Sequence, residues 1–444
     1  MFNFSATAGT SHQTACKEES MIRKVQMLGI VMAVLVLMHV PLSASSVAVG
    51  TCEPALPHFS TIQAAINASA KGGTVLVCPG VYPEQIQIFN PLTLRGVDSG
   101  GSNLALITMP PGGIGSQIYV QATGVNISDL TIDGSNNGAT VCGQGPTGIY
   151  YWLSSGTINH VTVRNHFASV PIAECNSGDG IFVGTDNTGA SNVTIEFSSI
   201  HGFQANGIEV NGRGASATIK NNTIGGNAPG PTSNGIAVWL GATGTITSNS
   251  IINVLEPIAY PNLGGAGYGI IVECSQGVTA SANTIGDTQA GIVVTSGSNC
   301  PTLGYGNGDA NTFSHNVISQ THIFDAVYVC GNFNLVTGNT INSTSEAAIR
   351  LDDSCNPGIS GFNNTFTSNT VDEACTTSLI DPAVAGTNTI GSNPTYNVAF
   401  DQLSGTVLGA GFCSAAGAPA IVKKQPLVRG ASSTIVHRAL PVVR

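Results

Sequence analysis

Two short motifs alternate along the chain, and this alternation limits the possible folds more than any other feature of the sequence. The first motif reads Gly-Ile-x-Val or a close variant and begins at residues 148, 180, 207, 235, 269 and 291, with related segments at 326 and 348. The second reads Asn-x-Ile or Asn-x-Val and begins at residues 222, 249, 283, 316, 339 and 369. The alternation predicts one structural unit that repeats along the chain.

The spacing of the motifs indicates short strands that stack as a solenoid. Each repeat covers about 22 to 35 residues, tolerates insertions and lacks helical periodicity. Successive side chains of a strand point to opposite faces. We therefore expect the Ile and Val of the first motif in the core and the residue between them in solvent. The composition, with 55 glycines, 42% apolar residues and only 9% charged residues, fits many short strands joined by tight turns.

Two further features belong to the same solenoid. The asparagine of the second motif recurs at one position of the repeat, so its side-chain amides are expected to hydrogen-bond along the axis and to be structural. A solenoid also needs its ends covered. Residues 59–73 predict a short N-terminal capping helix, in which Ser60 and Gln63 form a capping box and Gly72 and Gly73 end the helix.

The first residues carry the pattern of a secretory signal peptide. A basic segment at 21–24 precedes a 12-residue apolar run at 27–38 and the small-residue sequence SVA at 46–48. We assign residues 1–48 as leader and signal peptide, with Met21 as the expected true start. The expected location is secreted, periplasmic or in the cell envelope. A membrane is a partner only if the segment stays uncleaved as an anchor.

The cysteines agree with export. Ten lie beyond the leader, and an even number in an exported chain favours disulfide bonds. Neighbouring strands of a solenoid lie about 4.8 Å apart, which is close to the Cα separation of a disulfide. The expected pairs are Cys52–Cys78, Cys142–Cys175, Cys274–Cys300, Cys330–Cys355 and Cys375–Cys413.

The distribution of charge restricts the partners. Residues 49–413 contain 22 of the 24 acidic residues but only six of the 14 basic residues. Nucleic acid is not an expected partner, because phosphate contacts require clustered Lys and Arg. Residues 414–444 are basic and predict a flexible C-terminal tail. No cluster of Cys and His predicts zinc, and no cofactor is expected, although calcium remains an alternative.

The segment FSTIQAAINASAKGGTVLVCPGVYPEQIQIFNPLTLRG at 59–96, followed by the repeats from 128 to 390, resembles the pectin-lyase-like superfamily of right-handed parallel β-helix proteins. The resemblance covers nearly all of the chain beyond the leader. It implies an all-β fold, a right-handed parallel β-helix solenoid over residues 49–413 with a short N-terminal capping helix. This scaffold serves lyases, hydrolases, esterases, epimerases and non-catalytic surface proteins, so the resemblance implies no single activity.

The catalytic motifs of the best-known members do not transfer to this chain. Asp179 in SGDGIFV is similar to one carboxylate of polygalacturonase-type hydrolases, but Ala205 and Asn206 stand where two further acids are expected. The Gly-His-Gly and Arg-Ile-Lys motifs of those enzymes are absent. HGFQANG keeps Gln204 of the pectin methylesterase pattern but lacks its aspartate. No segment matches the calcium-binding acids and arginine of pectate lyases.

The outward positions of the first motif predict a stripe along the solenoid. Aromatic faces stack on sugar rings, and carboxylates bind hydroxyl groups or transfer protons. The candidate catalytic residues are Asp179, Glu209 and Glu273. The candidate substrate-binding residues are Tyr150, Trp152, Phe182, Asn211, Trp239, Tyr328, Arg350 and Asp352.

Two classes of function follow from the sequence. In the first, the protein is secreted and binds or processes a polysaccharide or cell-surface glycan through the stripe, and an enzyme of this kind would be a polysaccharide lyase, glycoside hydrolase or carbohydrate esterase. In the second, the stripe lies under loops and the protein is a non-catalytic surface scaffold or adhesion protein. The lone Arg350 is also interpreted as a salt-bridge partner, and Asp352 as part of a turn.

Overall fold

The computed structural model describes residues 45–97, 103–140, 144–168, 178–226, 234–255, 267–296, 300, 304–322, 324–351, 353, 355, 357–380, 387–393, 395–396, 400–401 and 406–407. The chain divides into two units, Met1–Ala44 and Ser45–Arg444, and all described residues belong to the second. The predicted leader up to residue 44 and the predicted tail at 414–444 lie outside the described residues, so these boundaries stay predictions.

Short parallel strands make up almost all of the described structure, and they stack in three ladders. Each complete coil contributes one strand to each ladder, and the three strands enclose the core between them. The first ladder contains His58–Phe59, Ser46–Val49, Gly73–Val77, Leu92–Gly96, Val125–Ser128, Ser155–Asn159, Ser191–Glu196, Ala215–Lys220, Thr243–Thr247, Thr279–Ser281, Thr312–Ser314, Leu335–Thr337, Thr365–Thr367 and Thr389–Ile390.

The second and third ladders share two long strands, Thr340–Leu351 and Thr370–Ile380, each of which bends from one ladder into the other. The other strands of the second ladder are Gly80–Pro83, Ala105–Thr108, Thr131–Asp133, Thr162–His166, Ser199–Phe203, Thr223–Gly225, Ser250–Val254, Thr284–Thr288, Val317–Thr321 and Thr395–Tyr396. The other strands of the third ladder are Ile86–Ile88, Ser116–Val120, Thr147–Trp152, Asp179–Gly184, Asn206–Asn211, Asn234–Trp239, Tyr268–Glu273, Ala290–Thr295 and Val327–Val329. Phe400–Asp401 and Thr406–Val407 pair antiparallel.

The strand pattern confirms the predicted right-handed parallel β-helix. Inward side chains of the three ladders are aliphatic and form one continuous core along the axis, as Ile149, Ile158 and Val163 show within a single coil. In the first motif, the Ile and Val point inward as predicted, and Ile208 and Val210 have no exposed surface. The core therefore follows directly from the period-two alternation of each short strand.

Turns of two residues join each strand of the first ladder to the next strand of the second ladder, from residues 129–130 to residues 368–369. The first turn residue has a positive φ, for example 56° at Asn221 and 57° at Ser248. The second is Asn from residue 222 onward, and these asparagines form a column. We call it the asparagine column, and its members are Asn222, Asn249, Asn283, Asn316, Asn339, Asn369 and Asn393.

The asparagine column stacks as the sequence predicts. The side-chain Nδ2 of Asn283 donates to Oδ1 of Asn316 at 2.9 Å and to the backbone oxygen of Ile246 at 3.0 Å. Its own Oδ1 accepts from the backbone N–H of Asn249. A second amide column lies at the other end of the first-ladder strands, and the sequence analysis missed it; its members are Asn311, Asn334, Asn364 and Asn388.

The capping helix, α1, spans Ile62–Ala68 and buries Ile62, Ala65 and Ile66 against the first coils. Its N-cap is Thr61, whose hydroxyl accepts from the backbone N–H of Ala64, and not the predicted Ser60. Sequence spacing missed the second partner of the helix N-terminus. The carboxylate of Glu84 accepts from the first two helical N–H groups and complements the positive end of the helix dipole.

The first strand of the β-helix overlaps the predicted signal peptide, and three of the predicted disulfides are present. Ser46–Val49 forms a mostly buried strand, so the sheet already includes the residues predicted as the cleavage signal. Cα separations of 5.7, 5.2 and 6.0 Å belong to the disulfides Cys52–Cys78, Cys274–Cys300 and Cys330–Cys355, three of the five predicted pairs. The other two pairs include residues outside the described part of the chain. Within that part, no helix is both long and apolar enough to cross a membrane.

Candidate functional site

The register of the third ladder aligns the residues of the predicted stripe in two columns. Each residue lies opposite its counterpart in the next coil, about 4.8 Å away along the axis. The first column runs through Tyr119, Tyr150, Phe182, Glu209, Ala237, Ile271, Val293, Tyr328 and Arg350. The second runs through Trp152, Gly184, Asn211, Trp239, Glu273 and Thr295.

The first column is covered for most of its length, whereas the sequence predicted that these positions face solvent. Phe182 is 1% exposed, Glu209 has no exposed surface and Tyr328 is 4% exposed. The expectation was wrong because a side chain that points away from the β-helix core is buried when other residues pack over it. Such packing forms a second hydrophobic cluster, which contains Ala237, Tyr268, Ile271, Ala290, Val293, Tyr328 and Cys330, with Trp239, Phe324 and Cys355 packed against it.

At the N-terminal end of the first column, aromatic rings form a stack that leads from solvent into the protein. We call Phe89, Tyr119, Tyr150 and Phe182 the aromatic stack. Phe89 is 55% exposed and meets Tyr119 edge-on at 6.1 Å. Ring centroids then lie 5.5 Å apart between Tyr119 and Tyr150, and 4.5 Å apart between Tyr150 and Phe182. The stack therefore offers an exposed aromatic edge and a buried inner end.

The sequence analysis began the stripe at Tyr150 and missed Phe89 and Tyr119. The signal for Tyr119 was present, because SQIYV at 116–120 has the same alternation as the first motif without its glycine. Trp152 extends the aromatic surface sideways, with its ring 6.0 Å from that of Tyr150. Gly184 makes room for this arrangement, since a Cβ atom there would lie 2.2 Å from the ring of Phe182 and 3.2 Å from Trp152.

Two carboxyl groups meet beside the inner end of the aromatic stack. Nδ2 of Asn206 donates to Oδ1 of Asp179 at 3.0 Å and to Oε2 of Glu209 at 2.6 Å. The two carboxyl groups therefore share one amide nitrogen. Nδ2 of Asn211 donates to the other oxygen of Glu209, and Nδ2 of Asn234 donates to Oδ1 of Asn206. We call Asp179, Asn206 and Asn234, with the attached Glu209, the acid column.

Burial controls the ionisation of this acid column. Removal from water raises the pKa of Asp179 from 3.8 to about 6, against the lowering effect of the hydrogen bonds from Asn206. Burial also raises the pKa of Glu209 well above its usual value, and the charge of Asp179 adds to the effect. Burial, followed by the charges of Tyr119, Glu209 and Asp179, raises the pKa of Tyr150. With a pKa of about 6, Asp179 is mostly ionised near neutral pH, whereas burial and the charge of Asp179 favour the protonated form of Glu209.

The other predicted site residues lie elsewhere on the third ladder. Glu273 is two rungs beyond Asn211, about 10 Å along the axis, so it does not join the acid column. Trp239 packs on the second hydrophobic cluster. Arg350 forms ion pairs with Asp325 at 2.8 Å and Glu346 at 3.4 Å. Asp352 lies outside the described residues. No cluster of metal-ligating side chains occurs among the residues that the structure describes.

Comparison with known proteins agrees with the fold. The family model described as "Right handed beta helix region" matches residues 147–307. The chain is similar to the A-module of mannuronan C-5 epimerase AlgE4 from Azotobacter vinelandii, with a TM-score of 0.50 and 16% identity, over 78% of this chain and 95% of the module. It is also similar to the GH136 lacto-N-biosidase from Eubacterium ramulus, with a TM-score of 0.54 and 12% identity, over 79% of this chain and 68% of the enzyme. No curated protein sequence matches the chain significantly.

These similarities and the three strand ladders define the fold. The chain is a right-handed parallel β-helix protein. At such low identity the solved structures show the fold alone.

Proposed function

We propose that the protein is exported and acts on a polysaccharide, which it binds at the aromatic stack and converts with the help of Asp179. The observation that carries the proposal is the aromatic stack itself. It runs from the exposed Phe89 to rings buried beside two carboxyl groups of raised pKa. Aromatic faces bind sugar rings, and perturbed carboxyl groups are frequent at catalytic sites.

The two carboxyl groups have different parts in this proposal. Asp179 is 8% exposed, so it is the group that reaches a bound substrate, and a pKa of about 6 allows it to gain and lose a proton near neutral pH. Glu209 is fully buried and acts through Asn206, whose amide it shares with Asp179. Glu209 is therefore a positioning residue. The two solved relatives, named as an epimerase and a lacto-N-biosidase, are carbohydrate-active enzymes on the same scaffold, which supports this class of function.

The test measures turnover on a panel of polysaccharides, scored by new reducing ends and by unsaturated products. We expect Asp179→Asn to lower turnover by about 100-fold or more, the usual contribution of a proton-transferring side chain, with binding retained. The matched control is Asp186→Asn, because Asp186 is exposed in the turn that follows the same strand. We expect the control to keep full turnover. Wild-type turnover that persists in Asp179→Asn contradicts the proposed role.

A second candidate function is a non-catalytic surface scaffold. The observations that favour it are the two amide columns and the three disulfides, which make the fold resistant to unfolding, and the packing over much of the third ladder. If the purified protein binds and converts no polysaccharide, either in calcium or with a chelator, the scaffold function is the better account.

A further inference from the structure

Four of the six basic residues of the β-helix are engaged by other groups. The sequence contains only six Lys and Arg residues between residues 49 and 413, and the structure describes every one of them. Arg164 pairs with Asp133 at 2.8 Å on the second ladder, and Lys220 pairs with Glu196 at 2.7 Å on the first. Each of these charges is balanced by a carboxylate on its own face of the solenoid.

Arg350 and Arg213 are also engaged by other groups. Arg350 is ion-paired, and it lies six rungs from Phe182 in the first column, about 30 Å along the axis. Arg213 is nearest the site in sequence, but its guanidinium donates to the backbone oxygen of Gly304 and lies 5.6 Å from the centre of the Tyr305 ring. Lys71 and Arg95 are exposed in the N-terminal coils. Arg95 is on the first ladder, and Lys71 precedes Gly72, whose N–H donates to the backbone oxygen of Pro91, so Lys71 adjoins the outer end of the stack and not its inner rings.

The ionised group beside the inner rings of the stack is negative. Asp179 is ionised near neutral pH and lies beside the inner rings of the stack, within a segment 49–413 that carries 22 acidic residues against six basic ones. A uronic acid polymer bears one carboxylate on every sugar. Its binding at the inner rings would place like charges together beside Asp179. Aromatic faces, in contrast, stack on uncharged sugar rings without any need for counter-charge.

We infer that the substrate of this site is a neutral glycan, one without uronic acid residues. The inference rests on the proposed function and narrows it, and it also selects among reactions. Elimination and C-5 epimerisation of a sugar both remove a proton that an adjacent carboxylate group makes acidic, and a neutral sugar lacks that group. The remaining reaction of a neutral glycosidic bond is hydrolysis.

Hydrolysis balances with water as the co-reactant. The bond between the anomeric carbon and the glycosidic oxygen breaks, the hydroxyl of water bonds to the anomeric carbon, and the proton of water ends on the leaving oxygen. Asp179 is the group that moves this proton. Reducing ends are therefore the expected product, without unsaturated sugars.

The experiment compares neutral polysaccharides (galactan, xylan, arabinan and β-glucan) with polygalacturonate and alginate, in a chelator and again in calcium. We expect binding and new reducing ends with at least one neutral polymer and neither with the uronates. The Tyr119→Ala variant is expected to bind that neutral polymer about tenfold more weakly, because it loses the central ring of the exposed edge.

A variant that adds a positive charge tests why the site should prefer neutral polysaccharides to uronates. Gln121 is exposed, and its side-chain oxygen accepts from the hydroxyl of Tyr119 at 3.3 Å. Gln121→Lys places a cation beside the stack, and we expect it to raise uronate binding several-fold without raising neutral binding. Gln121→Glu, matched in size, is expected to leave uronates unbound.

Uronate binding by the wild-type protein that equals its binding of neutral polymers overturns this inference and leaves the proposed function standing. Failure to bind any polymer overturns both.

Discussion

The asparagine column and the acid column use similar side-chain hydrogen bonds for different purposes. In the asparagine column, each described Nδ2 from Asn222 to Asn369 donates to the next amide and to a backbone oxygen. In the acid column, Nδ2 of Asn206 donates to two carboxyl groups. The backbone N–H and Nδ2 of one residue converge on a single Oδ1 in both.

The comparison shows that the fold requires an amide in the asparagine column but does not require a carboxyl group at residue 179. An asparagine at residue 179 would offer Asn206 the same oxygen that Asn249 offers Asn222. The fold therefore does not require a carboxyl group there, and a buried acid with a raised pKa destabilises the folded protein at neutral pH. Such a group is expected where a function retains it.

The largest expected effect comes from moving an acid into the asparagine column. Asn283→Asp replaces the Nδ2 that donates to Ile246 and Asn316 with an oxygen. The backbone oxygen of Ile246 loses this donor, Oδ1 of Asn316 keeps only the backbone N–H of residue 283, and both face a third oxygen. We expect the free energy of unfolding to fall by about 3 kcal/mol at pH 7, measured by urea denaturation.

The reverse exchange is the matched comparison. Asp179→Asn is expected to leave the free energy of unfolding at pH 7 equal or higher, because the asparagine keeps the acceptor and removes the buried charge. Destabilisation by Asp179→Asn as large as that by Asn283→Asp would mean that the acid column is as structural as the asparagine column.

A smaller effect is expected in the pH dependence of stability. In the folded state the pKa of Asp179 is raised from 3.8 to about 6, so the folded state binds the proton more tightly than the unfolded state. The stability that this proton contributes is complete below pH 3.8 and is lost as the pH rises through about 6. We expect Asp179→Asn to reduce the decline in unfolding free energy over this range. The exposed variant Asp186→Asn should keep the wild-type decline over the same pH range.

The smallest effect is expected at the end of the acid column. Nδ2 of Asn234 donates to Asn206 at 2.8 Å, while its Oδ1 is buried without a partner in the described structure. Asn234→Ala removes one hydrogen bond and one unsatisfied oxygen together. We therefore expect a loss of about 1 kcal/mol or less in unfolding free energy. A loss equal to that of Asn316→Ala would show that the two columns share one role.

The parts of the structure that depend on repetition could be predicted from the sequence. Strand register followed from the first motif, which places Glu209 opposite Phe182 and Ala237, and the asparagine column followed from the second. These features are local and recur at fixed spacing, so one coil predicts the next. The three observed disulfides followed from the same stacking of coils.

The parts that depend on packing between distant segments could not be predicted in this way. Tyr328 is buried in a cluster that includes Phe324 and Cys355, and the segments that carry these two residues are not repeated in other coils. The N-cap is Thr61, and Glu84 supplies a carboxylate from 22 residues away to the same helix end. The shared amide of Asn206 depends on side-chain orientation, which the motif leaves undetermined.

The two-residue turns have a consequence for how such a chain can change over evolution. From residue 222 onward, each turn presents an asparagine amide to the column, so an added residue there would break the hydrogen bonds of two neighbouring coils. Insertions are tolerated only at the other corners, and the corner before the third ladder varies widely in length, with 12 residues between His166 and Asp179 but only two between Phe203 and Asn206. Differences in length between coils are therefore concentrated away from the corner that holds the asparagine column.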